Sequence, residues 1–334
     1  MATMKQVAER AGVSTSTVSH VINNTRIVSD DVRERVLAII AEMRYIPSAV
    51  ARSLKSDKTH TIGMMVPNNS NPYFAELIQG IEDAAFKVGY NVILCNAYDD
   101  PKKQAAYLRV LMEKRIDGLI LVASGADDAL ALLLREQGVP IVLVDREVAG
   151  VDADFIEADH EMGGYLATRY LVELGHRDIA CVSGPSDLPP SRDRVVGYLR
   201  ALKEAGLKFR RDYLVHSDFT SEGGFAAFGQ LLALKKRPTA IFASNDLMAI
   251  GGICAASEAR VRIPDELSVI GYDDIALATF STPRLTTMAQ PKYAMGQLIT
   301  HVLIDRIMGS ARPLRRELLQ TKLVVRQSTA PKPA

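Results

Sequence analysis

The pattern of apolar and polar positions changes once along the chain, near residue 60. Before that point, apolar residues recur every three or four positions in short segments, which is the period of an amphipathic α-helix. After it, short runs rich in Val, Ile and Leu alternate with amphipathic segments, a pattern typical of parallel strands connected by helices. The chain therefore predicts a small all-α module followed by a larger α/β core.

The amino-terminal segment predicts two short helices joined by a tight turn. Thr3 and Gln6 have the spacing of a capping box, and Gly12 ends the first helix. Ser14 is placed to cap a second helix over residues 15–23. Two short helices around a glycine-containing turn are typical of a helix-turn-helix motif.

The outward face of the second helix favours DNA as a partner. Val18, Val21 and Ile22 point inward, whereas Ser16, Ser19, His20 and Asn23 leave a polar face without a carboxylate. Such a face can lie against a polyanion and form hydrogen bonds with base edges. An ordinary helical hairpin with a polar surface has the same periodicity, so the spacing alone leaves both interpretations open.

Residues 45–58, YIPSAVARSLKSDK, strengthen the DNA interpretation. Pro47 ends the preceding helix, and Ser48 can cap a short helix that carries Arg52, Leu54 and Lys55. A helix of about eight residues is unstable alone in water and needs a partner surface. A basic face with one exposed leucine suits a minor groove, where apolar side chains wedge between base steps.

The strings MATMKQVAERAGVSTSTVSHVINNTRIVSDDVRERV and YIPSAVARSLK resemble the lactose-repressor (LacI/GalR) family of bacterial transcription regulators, and the likeness extends to about Gln327. Within the family the ribose-operon and purine repressors are most similar, the ribose branch above all. The resemblance implies a homodimer on a palindromic operator. It places Thr15, Ser16 and His20 against bases in the major groove, and Ala51, Leu54 and Lys55 of paired hinge helices in the minor groove.

Composition is compatible with such a regulator. Net charge is only +1, and residues 1–60 carry nine Lys/Arg against six Asp/Glu, a local excess of +3. We find no apolar run of membrane-spanning length and no signal peptide, which predicts a cytoplasmic, nucleoid-associated protein with no membrane contact. Cys95, Cys181 and Cys254 lie in separate apolar runs and are expected to be buried, reduced thiols.

Enzyme motifs are missing from the sequence. It contains no Gly-x-Ser-x-Gly elbow, no Walker loop, no Gly-x-Gly-x-x-Gly and no His pair at metal spacing. Apart from His20, the histidines are expected to be solvated or capping residues. We therefore predict a non-enzyme without catalytic residues, metal or cofactor. The second alternative to a regulator is a sugar-transport binding protein. The predicted DNA-binding module argues against it, as does the lack of a signal peptide.

The alternation after residue 60 predicts two doubly wound, parallel-sheet subdomains of periplasmic-binding-protein type. We expect crossovers near Glu157–Glu161, Asp274–Thr279 and Thr286–Pro291. The predicted organisation is a helix-turn-helix domain at 1–46, a hinge helix and linker at 47–60, and an effector-binding core at 61–329. The first subdomain is predicted at 61–158 and 280–290, the second at 161–275 and 292–329, with a disordered tail at 330–334.

Polar and aromatic residues cluster at the predicted carboxyl ends of the strands, where ligands bind on such sheets. Rings beside Asp, Asn, Arg and Gln suit a neutral polyhydroxylated ligand. Structural roles compete: Asn68 and Asn69 suit turns, Arg194 and Asp274 suit pairing with neighbours, Tyr73 and Phe74 suit the core. We favour Asp246 as a helix N-cap rather than a ligand group.

The core also resembles the periplasmic ribose-binding protein. That likeness implies effector contacts from Asn71, Tyr73, Phe74, Asp145, Arg146, Arg192, Phe219, Asn245, Asp273 and Gln290. Only Tyr73 departs, replacing a phenylalanine. The purine branch has tryptophan where Arg146 stands and glycine where Asn245 stands, and this chain has no Trp. Ribose repressors also carry tryptophan after this aspartate, so Arg146 alone does not identify the operon. We therefore expect a sugar effector, D-ribose above phosphorylated ribose or another furanose, that releases the operator allosterically. The alternative is a purine-type repressor with a nucleobase corepressor.

Overall fold

The computed structural model describes residues 2–45, 58–122 and 128–332. The chain divides into two units, Met1–Thr59 and His60–Ala334. The predicted minor-groove residues Ala51, Leu54 and Lys55 lie outside the described residues, as does the rest of the predicted hinge helix.

The first unit contains three described helices: α1 (Met4–Ala11), α2 (Thr15–Asn23) and α3 (Asp30–Glu42). Thr3 and Gln6 form the predicted capping box, and Gly12 ends α1 in the left-handed conformation at φ 64°. The Ser14 side chain accepts a hydrogen bond from the Thr17 amide and so caps α2 as predicted. The three helices enclose a small core of Val7, Ala8, Ala11, Val18, Val21, Val36 and Tyr45.

The first subdomain of the second unit is a parallel sheet in the order β11-β5-β4-β3-β1-β2. Its elements are β1 (Thr61–Val66), α4 (Pro72–Lys87), β2 (Asn91–Asn96), α5 (Pro101–Glu113), β3 (Gly118–Leu121), α6 (Asp128–Gln137), β4 (Ile141–Val144), β5 (Asp154–Ala158), α12 (Lys292–Ile307) and β11 (Arg316–Leu319). Two apolar clusters cover the two faces of this sheet, as expected for buried strands.

The second subdomain is a sheet in the order β12-β10-β9-β8-β6-β7, parallel except where β12 pairs antiparallel with β10. Its elements are α7 (His160–Glu173), β6 (Ile179–Ser183), α8 (Pro189–Glu204), a 3-10 turn (Arg211–Tyr213), β7 (Leu214–His216), α9 (Ser221–Leu232), β8 (Ala240–Ala243), α10 (Asp246–Glu258), β9 (Ser268–Asp273), α11 (Ala276–Phe280), β10 (Thr286–Ala289) and β12 (Lys322–Val324). It too is covered by helices on both faces.

The chain passes between the two sheets after β5, after β10 and after β11. The crossovers predicted near Glu157–Glu161 and Thr286–Pro291 agree with this path. The one predicted at Asp274–Thr279 is wrong, because β10 pairs with β9 in the second sheet. Residues 280–290 therefore belong to the second subdomain. Helix α12 packs on the first sheet and β11 joins that sheet, so residues 292–319 belong to the first subdomain.

Two smaller expectations also need correction. Cys95 and Cys181 are buried free thiols as predicted, but Cys254 is exposed on α10. The predicted disordered tail is ordered over its described part, because the Ala330 carbonyl accepts hydrogen bonds from His176 and Ser268 and the Lys332 amide donates to Leu174. Among the described residues, no helix is long and apolar enough to cross a membrane.

Helices α7 and α8 approach so closely that their contact requires glycine. A Cβ at Gly164 would overlap the carbonyl of Arg194, and one at Gly197 would overlap the carbonyl of Glu161. The reciprocal contact brings the two backbones together without an intervening side chain. It therefore fixes α7, which begins at His160, against the turn of α8 that carries Arg194.

Candidate functional sites

A cleft lies at the carboxyl ends of the strands, between the two subdomains. Both subdomains line it, with Pro67, Asn68, Asn71, Tyr73, Phe74, Asp99, Val122, Asp145 and Arg146 on the first side and Pro190, Arg194, Asp218, Phe219, Asn245 and Asp273 on the second. Its cavity volume is about 120 Å³. Pockets for drug-sized ligands enclose about 300–1,000 Å³, so this cavity suits a molecule of one or two small rings.

Asp145 directly follows β4 and adopts a left-handed backbone at φ 56°. Its carboxylate accepts hydrogen bonds from the Tyr73 hydroxyl at 3.1 Å, the Ala158 amide at 3.2 Å and His160 Nε2 at 3.1 Å. Burial would raise the pKa of the Asp145 carboxyl, but His160 and the Ala158 amide hold that pKa below its ordinary value. Asp145 is therefore a fixed, charged group on the first side of the cleft.

Asp273 ends β9 on the opposite side, with an unusual backbone at φ 108°. Its Oδ1 accepts a hydrogen bond from Gln290 Nε2 at 2.7 Å, and Arg194 Nη2 lies 3.8 Å away. Burial raises the pKa of Asp273 to about 6, although Arg194 and Gln290 favour the charged form. Arg194 and Gln290 thus compensate only part of the cost of burying the charged Asp273 carboxylate.

Lys292, the first residue of α12, fixes the turn that carries Asp273. Its Nζ donates to the carbonyl oxygens of Asp273 at 2.6 Å and Asp274 at 2.9 Å, and it pairs with Glu76 at 3.2 Å. Asp274 also has a positive φ, of 54°. Two successive non-glycine residues in this region are uncommon and need support from their surroundings.

Two arginines, one from each side, point into the cleft. Arg146 donates to Asp99 Oδ1 at 2.7 Å. Arg194 is buried and donates to the Ser244 carbonyl at 2.5 Å and to His160 Nδ1 at 3.2 Å. Its guanidinium also stacks on the Tyr272 ring at 3.8 Å. The predicted pairing of Arg194 with structural neighbours is therefore correct, and the residue lines the cleft as well.

The structure does not bring Arg192 into the cleft. The Arg192 side chain is 65% exposed, pairs with the adjacent Asp193 and is not among the lining residues. Arg194, two residues later on α8, is buried and lines the cleft instead of Arg192. Gln290 is likewise not a lining residue, but it is buried directly behind Asp273. The other eight predicted effector residues all line the cleft.

Aromatic rings from both subdomains line the cavity. Tyr73 and Phe74 pack edge to face with centroids 5.0 Å apart. Phe219 approaches from the second subdomain in a left-handed conformation at φ 65°, and its ring covers Gly184 so closely that a Cβ there would overlap it. A ligand between these rings meets apolar surfaces on its faces and polar groups around its edge.

We expected Asp246 to cap α10, and that expectation is wrong: the N-cap is Asn245, and Asp246 is the first residue of the helix. Asn245 Oδ1 accepts from the Met248 amide and its Nδ2 donates to the Phe219 carbonyl, so the side chain also holds an aromatic wall. Asp246 is buried and accepts hydrogen bonds from the Ile275 amide and the Thr287 hydroxyl. Burial raises the pKa of Asp246 well above its ordinary value.

Sequence reasoning missed His160, which was expected to be solvated or capping. It is 3% exposed and lies between Asp145 and Arg194. His176 is also buried, at 2% exposure, with partners in Thr239 and Ser268. The sequence did contain a signal for His160, because it lies two residues after the end of β5. The other candidate residues were also found at the carboxyl ends of strands.

The described part of the first unit presents α2 with the predicted polar face. Thr15, Ser16 and Asn23 are exposed, and His20 is partly exposed with its Nδ1 2.8 Å from the Thr25 hydroxyl. Asn23 Nδ2 donates to the Ser19 carbonyl at 2.9 Å. The structure leaves these donors and acceptors accessible along one side of a helix held by its cap and core. Among the described residues, no group of His, Cys, Asp or Glu is arranged to hold a metal ion.

Two family models match the chain. Residues 3–48 match the bacterial regulatory proteins of the lacI family, and residues 59–326 match the periplasmic binding proteins and sugar binding domain of the LacI family. The HTH-type transcriptional repressor PurR of Erwinia tasmaniensis is 46% identical over 335 residues, covering 100% of this chain and 98% of that protein. PurR of Photobacterium profundum is 44% identical over 98% of each chain.

Solved structures agree in fold. The lac repressor dimer bound to operator and the anti-inducer ONPF is 30% identical, with a TM-score of 0.88, over 98% of this chain and 99% of that one. A LacI family transcriptional regulator from Enterococcus faecium with bound ribose is 34% identical, with a TM-score of 0.74, over 81% of this chain and 99% of that one.

Proposed function

This chain belongs to the LacI family of bacterial regulatory proteins, which are transcription regulators and not enzymes, and on that premise we propose that it is a pentose-responsive repressor. In this proposal a homodimer binds a palindromic operator through α2 and the hinge segment. D-ribose binds in the cleft and releases the operator.

The DNA part of the proposal rests on α2. Ser16 and Asn23 are exposed on a helix whose opposite face is buried in the core of the first unit. Hydroxyl and amide groups on such a helix suit base edges in a major groove. The similarity to an operator-bound lac repressor dimer over 98% of this chain supports the same arrangement here.

The lining of the cleft carries the sugar part. Asp145, Arg146 and Asp273 surround a small cavity whose walls include the rings of Phe74 and Phe219. Carboxylates accept from sugar hydroxyls, guanidinium groups donate to them, and rings cover the C–H faces. The ribose-bound regulator from Enterococcus faecium is a relative with a ligand of this class.

A purine repressor with a nucleobase corepressor is the second candidate, and the names of the full-length relatives support it better than they support ribose. The PurR proteins are 44–46% identical over almost the whole chain, a higher identity than the ribose-bound regulator has. Two residues argue against a nucleobase, because the purine branch has tryptophan at the position of Arg146 and glycine at the position of Asn245. We prefer a pentose because of the residues that line the cleft.

The mechanism follows from linkage between the cleft and the operator. A ligand that contacts both Asp145 and Asp273 favours the closed arrangement of the two subdomains. If closure separates the hinge segments of a dimer, ligand and operator weaken each other reciprocally, typically by about 1–3 kcal/mol. A nucleobase corepressor would have the opposite sign, with ligand and operator strengthening each other.

Calorimetry with D-ribose, ribose 5-phosphate and hypoxanthine tests the effector, and fluorescence anisotropy with labelled operator tests the response. We expect saturable ribose binding at one site per chain, lost in Asp273→Ala, and weaker operator binding with ribose. A binding signal with hypoxanthine but not with ribose, together with tighter operator binding, would favour the purine repressor instead. Heat only with ribose 5-phosphate would replace ribose by its phosphate.

Operator binding has its own variants. Ser16→Ala is expected to weaken operator binding without changing ribose affinity, while Ser257→Ala, an exposed serine on α10, serves as the matched control. Leu54→Ala, at a residue outside the described ranges, is expected to do the same as Ser16→Ala. Equal loss of sugar and operator binding in these variants would indicate misfolding instead.

A further inference from the structure

His160 joins the two sides of the cleft through its two ring nitrogens. Its Nε2 lies 3.1 Å from Asp145 Oδ1 in the first subdomain, and its Nδ1 lies 3.2 Å from Arg194 Nη2 in the second. The imidazole is buried, and its centroid lies 6.2 Å from that of the Tyr272 ring. It is therefore held on three sides by groups of the cleft.

These contacts define the tautomer. A guanidinium has only donors, so Nδ1 of His160 must accept from Arg194 and carry no proton. The proton then resides on Nε2, which donates to the Asp145 carboxylate. An imidazolium would direct an N–H at the Arg194 cation. Burial first, and then Arg194, lowers the pKa of His160, while Asp145 opposes the change.

The backbone fixes this geometry. His160 is the first residue of α7, and Arg194 lies on α8, whose contact with α7 runs through Gly164 and Gly197. The distance between the imidazole and the guanidinium thus depends on a direct helix contact. Asp145, in contrast, belongs to the first subdomain and meets the imidazole where the chain crosses from β5 to α7, beside the Ala158 amide.

We propose that His160 is a positioning residue: one neutral imidazole ties Asp145 of the first subdomain to Arg194 of the second, and so sets the affinity of the cleft for its effector. The inference rests on the proposed function, because it concerns the same effector site. Its role is to orient Asp145 and Arg194 toward the ligand, and it needs no contact with the ligand itself.

The tautomer can be tested without any effector. Long-range proton–nitrogen NMR of the full-length protein with ¹⁵N-histidine, assigned with His160→Asn, is expected to show a neutral ring protonated at Nε2 at pH 7. The charged groups that act on the ring are Arg194, Asp145 and Asp193, with the Tyr272 ring alongside. A ring protonated at Nδ1, or at both nitrogens, would overturn the proposal even if neither ribose nor hypoxanthine binds.

The two halves of the bridge can be separated by amide substitutions. In His160→Asn the amide oxygen stays near the Nδ1 position and can accept from Arg194, whereas in His160→Gln the amide nitrogen reaches the Nε2 position and can donate to Asp145. We expect His160→Ala to weaken the binding of D-ribose, or of hypoxanthine if that is the ligand that binds wild type, by about tenfold or more in calorimetry at pH 8. The Asn and Gln variants are expected to fall between His160→Ala and wild type.

His176 supplies the matched control, because it is equally buried in the second subdomain but bonds to Thr239 and Ser268 away from the cleft. His176→Asn and His176→Gln are expected to lower the thermal midpoint while leaving effector affinity unchanged. Wild-type affinity in His160→Ala, or full recovery by one amide alone, would refute the bridge. Absence of ribose and hypoxanthine binding to wild type would refute the proposed effectors and leave the NMR result to decide on the bridge.

Discussion

The two sides of the cleft each present an aspartate at the carboxyl end of a strand, but the hydrogen bonds to the two carboxylates and the shifts of their pKa values differ. Asp145 accepts from Tyr73, Ala158 and His160, and its pKa is lowered. Asp273 accepts from Gln290 alone at hydrogen-bond distance among the described side chains, and its pKa is raised to about 6. One carboxylate is satisfied by the protein, whereas the other retains accepting capacity.

This difference assigns distinct tasks to the two sides. A satisfied carboxylate contributes to stability and holds its neighbours in place. A buried carboxylate with unfilled acceptor positions is costly in the empty cleft, and a ligand that donates hydrogen bonds relieves that cost. We therefore expect the first side to organise the site and the second side to gain most from binding.

The largest expected effect comes from removing the satisfied carboxylate. Asp145→Ala leaves three buried donors without an acceptor, and we expect a loss of about 3–5 kcal/mol in the free energy of unfolding. Asp273→Asn retains an acceptor for Gln290 and should unfold at the same or a higher denaturant concentration than wild type at pH 7. Urea titrations of both variants measure this; equal destabilisation would remove the distinction between the two sides.

The pH dependence sharpens the same contrast. Because the folded-state pKa of Asp273 is raised from 3.8 to about 6, its stabilising contribution is present below pH 4 and is lost as the pH rises through 6. The shift corresponds to about 3 kcal/mol. The difference in unfolding free energy between wild type and Asp273→Asn is expected to change by this order between pH 4 and 7. A constant difference would contradict the raised pKa.

Lys292 tests whether the second side depends on its backbone. Lys292→Met removes the ammonium that binds the carbonyls of Asp273 and Asp274, and we expect a loss of about 2 kcal/mol in stability together with weaker effector binding. Lys235→Met, at an exposed lysine of the second subdomain, is the control. Unchanged effector affinity in Lys292→Met would show that Asp273 keeps its position without this support.

The smallest effect is expected at Tyr73. Tyr73→Phe removes one of the hydrogen bonds to Asp145 but preserves the ring against Phe74, so the cost in stability should be about 1 kcal/mol. Effector affinity is expected to stay within a few fold of wild type, measured by calorimetry. A loss as large as that of Asp145→Ala would mean that the hydroxyl contacts the ligand directly.

Local rules predicted much of this architecture. Strands and their carboxyl ends follow from short apolar runs, which is why Asp145, Asn245 and Asp273 were found from the sequence. The choice between Arg192 and Arg194 depends on helix phase: the buried residues of α8 include Ser191, Arg194, Gly197, Tyr198 and Ala201, a helical period that includes Arg194 and excludes Arg192. The helical period therefore distinguishes the two arginines.

Other features have no local signal. Strand β10 is a four-residue segment, TTMA, and only its pairing with β9 shows which sheet it joins. The bridge of His160 depends on Asp145 and Arg194, 15 residues before it and 34 after it. Such contacts are properties of the assembled fold, so the sequence pattern could propose the edge of the sheet but not the partners across it.

The three passages of the chain between the sheets also govern how the molecule is made on the ribosome. The helical unit at the amino terminus is contiguous and has its entire described core by Tyr45. The first subdomain is not, because Met295, Ile299 and Leu303 of α12 cover its first strands and β11 completes its edge. Strands β1 to β5 end at Ala158 and β11 ends at Leu319, so the sheet is completed only after 161 further residues (319 − 158), which include the whole of α7 to β10, have been synthesised. The three amino-terminal helices can fold early, whereas the two subdomains of the core can complete their folds only after β11 and β12 have been synthesised.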